Sequence, residues 1–297
     1  MTKALPRSHW YRLRRILIPV AAALCACSGT SDSTPTARVP ARSINNVAYG
    51  TDPAQVMDVR LPADRSSTTA VVVFIHGGGW EGGDKSIFTA ADLSAFTARG
   101  YATVNINYRL SSVPRALHDP IMSNDVTAAI DYVAARAVEY QVASSTFAVV
   151  GHSAGGHLAL LAGYKYNPSG RIKAVASLAG PTNLIAPDFL AIPTIRELIE
   201  RYLGVTMAAQ PARWTQASPL SVATASSPPT ILLQGRLDGL VPYTQAESLN
   251  ARLVALRVPV DYRLFPTYDH VLNYLARNQF GDDIWNPALA WFATHLK

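Results

Sequence analysis

Cysteine is nearly missing from this chain of 297 residues: Cys25 and Cys27 are the only two, and both lie close to the N-terminus. No disulfide framework can therefore hold the remainder together, and its stability has to come from buried apolar surface. Zinc-ligand spacing is missing too, and no Walker lysine or G-x-G-x-x-G pattern accompanies the glycine-rich stretches. Neither a metal nor an organic cofactor is expected. Long apolar runs are also lacking. The N-terminal run over residues 16–26 falls well short of the ~20 residues a membrane span needs, and it contains Pro19. Excess charge is lacking where it would matter. The formal charge is +6, but Lys3, Arg7, Arg12, Arg14 and Arg15 all precede residue 27 with no acid among them, leaving 21 basic against 20 acidic residues beyond. So balanced a globule has no electrostatic footprint for a polyanion, which excludes nucleic-acid binding. With 49% hydrophobic and 15% charged residues, general disorder is excluded as well.

What is present begins with an export pattern. Arg12, Arg14 and Arg15 precede a short apolar run, the arrangement of a secretory signal over residues 1–26. Leu24-Cys25-Ala26-Cys27 resembles the lipobox of bacterial lipoproteins, with Cys27 as the lipidated mature N-terminus; Cys25 stands where a small or aliphatic residue is usual. Cleavage near the alanines, with both thiols incidental, is the competing reading. Residues 27–43, rich in Ser, Thr, Pro and Gly, read as a flexible tether. The expected location is an exported, membrane-anchored lipoprotein, with Ser28 pointing to the outer membrane in a Gram-negative cell. Otherwise the chain is expected to be periplasmic or secreted.

Residues 44–297 read as one α/β domain. Continuous β-branched or alternating runs at 56–61, 70–75, 101–106, 147–150, 172–178, 230–233 and 260–265 predict strands. Helical patterns at 89–99, 124–140, 154–164, 244–256 and 287–295 lie between them. Such alternation predicts a mainly parallel central sheet with helices on both faces. Residues 181–219 break the rhythm as an insertion carrying a helical piece at 195–203, either a lid or a structural excursion.

Chemistry concentrates at the ends of the predicted strands. Gly151-His152-Ser153-Ala154-Gly155 follows one strand and opens a helix, the context in which G-x-S-x-G forms a nucleophile elbow. His76-Gly77-Gly78-Gly79-Trp80 follows another strand, and a glycine run there lets backbone N–H groups face a reacting oxygen. Gly78, Gly79 and Ala154 are the candidate oxyanion donors. His76 reads as an anchor of its loop, and Trp80 as a pocket wall or a core residue. A serine nucleophile needs a base and an orienting acid, in the chain order Ser, Asp/Glu, His. His270 follows the strand at 260–265 and is the candidate base, whereas His295 sits near the chain end on an amphipathic helix. Asp238 follows the strand at 230–233 and is the candidate acid, with Asp269 its rival. His152 and His157 lack an independent loop to aim them and read as packing or pocket residues.

HGGGW at 76–80, NYRL at 107–110, GHSAGGHLAL at 151–160, GRLDGLVP at 235–242 and YDH at 268–270 stand in α/β-hydrolase order. Together they resemble the bacterial carboxylesterase group of feruloyl- and acetyl-esterase-like enzymes and kynurenine formamidases, relatives of the hormone-sensitive-lipase family. The likeness covers roughly residues 45–297. It implies an α/β-hydrolase fold and a cofactor-free serine hydrolase of carboxylic esters, with Ser153, Asp238 and His270 as its triad. The rivals are an amidase or formamidase with the same triad, and an inactive hydrolase fold serving as a binding module. Asn183, where relatives often carry Asp, departs from the pattern outside the triad.

Overall fold

Eight strands and ten α-helices occur among the residues that the computed structural model describes, 38–112, 118–272 and 280–296. The strands are β1 (Arg42–Ala48), β2 (Val56–Leu61), β3 (Val71–Ile75), β4 (Ala102–Ile106), β5 (Phe147–His152), β6 (Ile172–Leu178), β7 (Thr230–Gly235) and β8 (Val260–Phe265). The helices are α1 (Ala90–Thr97), α2 (Ile121–Ala135), α3 (Ala137–Tyr140), α4 (Ala154–Tyr164), α5 (Pro187–Leu190), α6 (Pro193–Leu203), α7 (Pro211–Gln216), α8 (Pro219–Val222), α9 (Thr244–Ala255) and α10 (Asp282–His295). The export signal, Cys25, Cys27 and most of the expected tether fall in residues 1–37, outside the described residues.

The strands form one sheet in the order β1-β2-β4-β3-β5-β6-β7-β8. β1 and β2 are antiparallel to their neighbours, and the pairs from β4 through β8 are parallel. This is the mainly parallel sheet that the alternation of runs predicts. β3, β4 and β5 are wholly buried, which is why β3 and most of β5 read as continuous apolar runs, while β4 buries Thr103 and Asn105 among its apolar residues.

Successive strand side chains point to opposite faces, so each strand feeds two cores. Val71, Val73, Ile75, Val104 and Val149 face the side packed by α2, α4, α6 and α9, with Val126, Leu158, Ile199 and Leu249. Val72, Phe74, Ala148, Val150, Ile231 and Leu233 face α1 and α10, where Phe96, Trp285 and Phe292 fill the space. Within that second layer, Phe74 meets Phe96 edge-on at 5.0 Å and Trp285 at 6.0 Å. The buried Asp92 carboxylate ties the two helices together by accepting from Trp285 Nε1 at 2.7 Å and from the Phe280 N–H at 3.1 Å.

Three elements differ from the sequence expectation. β1 is an edge strand with mostly exposed side chains, and so shows no apolar period to detect. α10 begins at Asp282 rather than at Pro287, because burial of Ile284 and Trp285 extends the helix ahead of the proline. The insertion at 181–219 is not a single helix in a loop but four short helices, α5 to α8. α6 is amphipathic, burying Ile195, Ile199, Tyr202 and Leu203, with Pro193 opening it and Gly204 (φ 71°) closing it. No helix among the described residues is long and apolar enough to cross a membrane.

Candidate active site

Because β3, β5, β7 and β8 run parallel, the segments after Ile75, His152, Gly235 and Phe265 leave the sheet at one edge. The candidate residues from four remote stretches of sequence therefore meet there.

Ser153 occupies the turn between β5 and α4 with φ 55° and ψ −123°, a strained conformation for a residue with a side chain. The turn is possible because glycines surround it: a Cβ on Gly155 would stand 2.0 Å from the Ile75 carbonyl oxygen, and one on Gly151 would stand 2.2 Å from that of Gly155. The surrounding structure holds the strain through the Ser153 N–H, which donates to Leu178 O at 2.8 Å.

His270 Nε2 lies 2.9 Å from Ser153 Oγ, and His270 Nδ1 lies 2.8 Å from Asp238 Oδ2. Asp238 is buried and accepts three further hydrogen bonds: from Gln234 Nε2 at 2.9 Å, Leu240 N at 2.9 Å and Val241 N at 2.8 Å. Four donors fix both carboxylate oxygens, so one stays aimed at the imidazole. Asp269 is exposed, and its side chain accepts from Val271 N at 3.1 Å rather than from His270. His295 lies in the last turn of α10, packs on Trp291 and is not among the residues lining the cavity.

The HGGGW segment bends over the serine. Gly78 takes φ 117°, open to glycine alone, and a Cβ there would stand 2.2 Å from Gly82 O. Neither the Gly78 nor the Gly79 N–H donates to a backbone acceptor among the described residues. Ala154, at the first position of α4, has no helical acceptor before it. All three residues line the same cavity as Ser153 and His270. His76 anchors this loop: it is buried, stacks on Tyr108 at 4.4 Å and hydrogen-bonds Gly77 O through Nδ1 at 2.7 Å. Burial holds its pKa below the ordinary histidine value. The Tyr108 hydroxyl in turn donates to His76 O at 3.0 Å, which gives the NYRL stretch a role as scaffold of the glycine loop.

Trp80 is both things that the sequence left open. It is 2% exposed, yet it lines the cavity. Its ring stacks on Tyr202 of α6 at 4.5 Å, and its Nε1 donates to His157 Nδ1 at 3.3 Å. His157 donates onward from Nε2 to Ala217 O at 2.8 Å, and burial pushes its pKa down to about 4. His157 is thus a packing residue, outside the cavity lining.

The cavity has a volume of about 440 Å³. The insertion supplies one wall through Phe189, Ile195 and Leu198, and the acid loop supplies Leu240 and Val241. Leu198 packs so closely on the glycine loop that a Cβ on Gly79 would stand 2.8 Å from its Cδ2. Arg201, also at the cavity, is engaged in both directions of its guanidinium with Glu81. Sequence reasoning did not single out these insertion residues. Only the amphipathic period of α6 hinted at them, and a period does not say which cavity a helix faces. Asn183 sits apart from the triad in a loop clasped by Gln245, whose Oε1 accepts from Asn183 N at 2.7 Å. Among the described residues no cluster of three or more His, Cys, Asp or Glu is arranged for a metal ion.

The BD-FAE family profile matches residues 57–253. "Esterase LipC" of Mycobacterium tuberculosis is 31% identical over 251 residues, covering 77% of this chain and 60% of LipC. "Kynurenine formamidase" of Danio rerio is 26% identical over 213 residues, covering 69% of this chain and 67% of that protein. Among solved structures, "Truncated form of carbohydrate esterase from gut microbiota" superposes with a TM-score of 0.72 at 21% identity, over 84% of this chain and 96% of that one. That likeness carries the fold, the α/β-hydrolase fold.

Proposed function

This chain belongs to the BD-FAE family, and from that premise we propose that it is a serine hydrolase of carboxylic esters, with Ser153 as nucleophile, His270 as base and Asp238 as orienting acid. The observation that carries this is the continuous hydrogen-bonded line Asp238–His270–Ser153 at the cavity, with separations of 2.8 and 2.9 Å.

In this reaction Ser153 Oγ attacks the ester carbonyl carbon while its proton passes to His270 Nε2. The carbonyl oxygen becomes an oxyanion facing the N–H groups of Gly78, Gly79 and Ala154, each such donor being worth roughly 3–4 kcal/mol in the transition state. Collapse of the tetrahedral intermediate breaks the C–O bond, and the alcohol leaves with the proton returned by His270. Water then attacks the acyl-enzyme by the same relay, releasing the acid and restoring the serine. Asp238 accepts from Nδ1–H throughout, so that Nε2 is the free base at the start and the imidazolium is stabilised once formed.

The lining favours an ester over an amino-acid amide. Phe189, Ile195, Leu198, Leu240 and Val241 are apolar, and the one permanently charged lining group among the described residues, Arg201, is paired with Glu81. A substrate such as N-formylkynurenine brings a charged ammonium and carboxylate, which this largely apolar lining meets, among the described residues, only at the Glu81-paired Arg201. The test is a panel of short p-nitrophenyl esters, feruloyl and acetyl-xylan esters and N-formylkynurenine, run beside active-serine labelling with a fluorophosphonate. Labelling with faster turnover of the esters is expected. Preference for the formamide would move the assignment to a formamidase, and a folded, unlabelled protein without turnover would reduce it to a binding module. The chain spans 60% of LipC and 52% of the "Probable carboxylic ester hydrolase LipM" of the same organism, so the reading concerns the matched region.

The proposal extends to location. With Cys27 lipidated, residues 29–41 become a leash to the membrane, and two or more acyl chains give stable anchoring where one does not. Wild type is expected to take up labelled fatty acid and pellet with membranes, Cys27→Ser to do neither, and Cys25→Ser to behave as wild type. Intact mass of the processed N-terminus checks this, and an unlabelled wild type cleaved elsewhere would refute the anchor.

A further inference from the structure

One buried group beside the nucleophile has no part in the steps above. His152 closes β5, is 5% exposed and lines the cavity. Its Nε2 lies 2.9 Å from the backbone carbonyl oxygen of His270. A carbonyl oxygen only accepts, so Nε2 carries the proton and Nδ1 is left as a lone-pair nitrogen. That Nδ1 is buried and has no hydrogen-bond partner among the described residues.

The bond matters because of what else holds His270. On the N-terminal side, Leu237 N donates to Tyr268 O at 2.9 Å, which ties the base loop to the acid loop. On the C-terminal side the bonds close the turn on itself: Leu272 N to Asp269 O at 3.2 Å and Val271 N to Asp269 Oδ1 at 3.1 Å. Neither reaches the nucleophile's strand. The His152 bond does, since Ser153 is the next residue after His152. It joins the peptide of the base to the backbone of the nucleophile by one rigid ring.

We propose that His152 is a positioning residue, whose Nε2–H ties the His270 backbone to the nucleophile's strand and so sets the distance between His270 Nε2 and Ser153 Oγ. The inference rests on the serine-hydrolase reading of this site. The chemistry also explains why a neutral ring suits the position. The two imidazole rings lie 5.1 Å apart, and His270 must become a cation during the reaction. A lysine or arginine donor here would oppose that charge at short range. Burial first, and then the charge of the neighbouring His270, pushes the His152 pKa down to about 4, against the hydrogen bond to the His270 carbonyl and the charges of Asp238 and Asp269, which act in the opposite direction. The second ring packed against His152 is Phe280, at 5.5 Å, which brings no charge. His152 thus keeps its donor without adding a cation.

The experiment combines two variants with a measurement on the unaltered protein. His152→Phe keeps a flat ring and removes the donor; His152→Gln restores a neutral donor. We expect His152→Phe to lose between about 10-fold and 100-fold in kcat with little change in KM, the size of effect that a small misplacement of a reacting group produces. Fluorophosphonate labelling should slow in parallel, and His152→Gln should recover most of the loss. Nitrogen-15 NMR of the histidine rings in wild type should show His152 as the neutral Nε2–H form from about pH 5 to pH 8, the range in which an ordinary histidine changes charge. A folded His152→Phe with wild-type kcat would overturn the proposal, as would a His152→Gln no better than Phe. So would a His152 that titrates in that range or carries its proton on Nδ1. If His152→Phe fails to fold, the Gln variant and the tautomer still decide. A wild type that neither labels nor turns over an ester would instead count against the hydrolase reading, and the tautomer would still report on the bond itself.

Discussion

Replacing Ser153 with alanine is expected to lower kcat for a short acyl ester by about 10⁶-fold, the order seen when a nucleophile is removed from a triad that acts as a unit. The protein should stay folded. Alanine retains the Cβ that the φ of 55° already accommodates, and the only bond lost among the described residues is the one from Oγ to His270 Nε2 at 2.9 Å. The measurement is turnover under single- and multiple-turnover conditions, with circular dichroism and thermal melting to establish the fold. A folded Ser153→Ala with near wild-type kcat would remove Ser153 from the mechanism. The slow residual rate should not depend on the fluorophosphonate, because no nucleophile remains to label.

The second large effect belongs to the acid. Asp238→Asn is expected to cost on the order of 10⁴ in kcat, the size that a wrong imidazole tautomer produces. The hydrogen bonds around this carboxylate give the reason. Oδ1 accepts from the N–H groups of Leu240 and Val241, and Oδ2 accepts from Gln234 Nε2 and His270 Nδ1. An asparagine that keeps its oxygen on the two backbone donors must turn its NH₂ group toward His270. The imidazole then has to accept at Nδ1 and carry its proton on Nε2, facing Ser153 as a donor where a base is needed. The opposite flip sets the NH₂ against two backbone N–H groups. Either way a buried donor loses its acceptor, so a stability loss of about 1–3 kcal/mol should accompany the kinetic one. Asp269→Asn should change kcat by less than a few-fold, since Asp269 is exposed and an amide oxygen can still accept from Val271 N. Equal or reversed effects of the two substitutions, read from kcat/KM and urea melts, would transfer the acid role to Asp269.

The strength of the sequence signal varied along the chain for physical reasons. β3, β5 and β6 were legible because strands covered on both faces must be apolar throughout. β1 was not, because an edge strand exposed on both faces satisfies its backbone without an apolar pattern. The start of α10 was hidden by Pro287, which marks a helix N-terminus in isolation. In the folded chain Ile284 and Trp285 gain more by packing into the core than the helix loses at the proline. The glycine loop and the serine turn were legible because only glycine fits where a Cβ would stand 2.2 Å from a backbone oxygen, as at Gly78 and Gly151, or 2.0 Å, as at Gly155. His152 could not be told apart from a packing residue, since its role depends on a carbonyl more than a hundred positions away.

The sequence alone therefore determined the alternating α/β architecture, the glycine-flanked turn at Ser153, the glycine loop, and the chain order Ser153, Asp238, His270 of the residues proposed as the triad. Each of these is written in local pattern: periodicity, glycine spacing, or the residue that follows a strand. Only the tertiary structure decided which carboxylate meets His270, that α6 supplies a cavity wall through Ile195 and Leu198, and that His152 hydrogen-bonds the His270 backbone. These depend on distances between segments far apart in the chain. Such distances are set by the parallel register of the sheet and by the packing of two cores, and no window of sequence contains them.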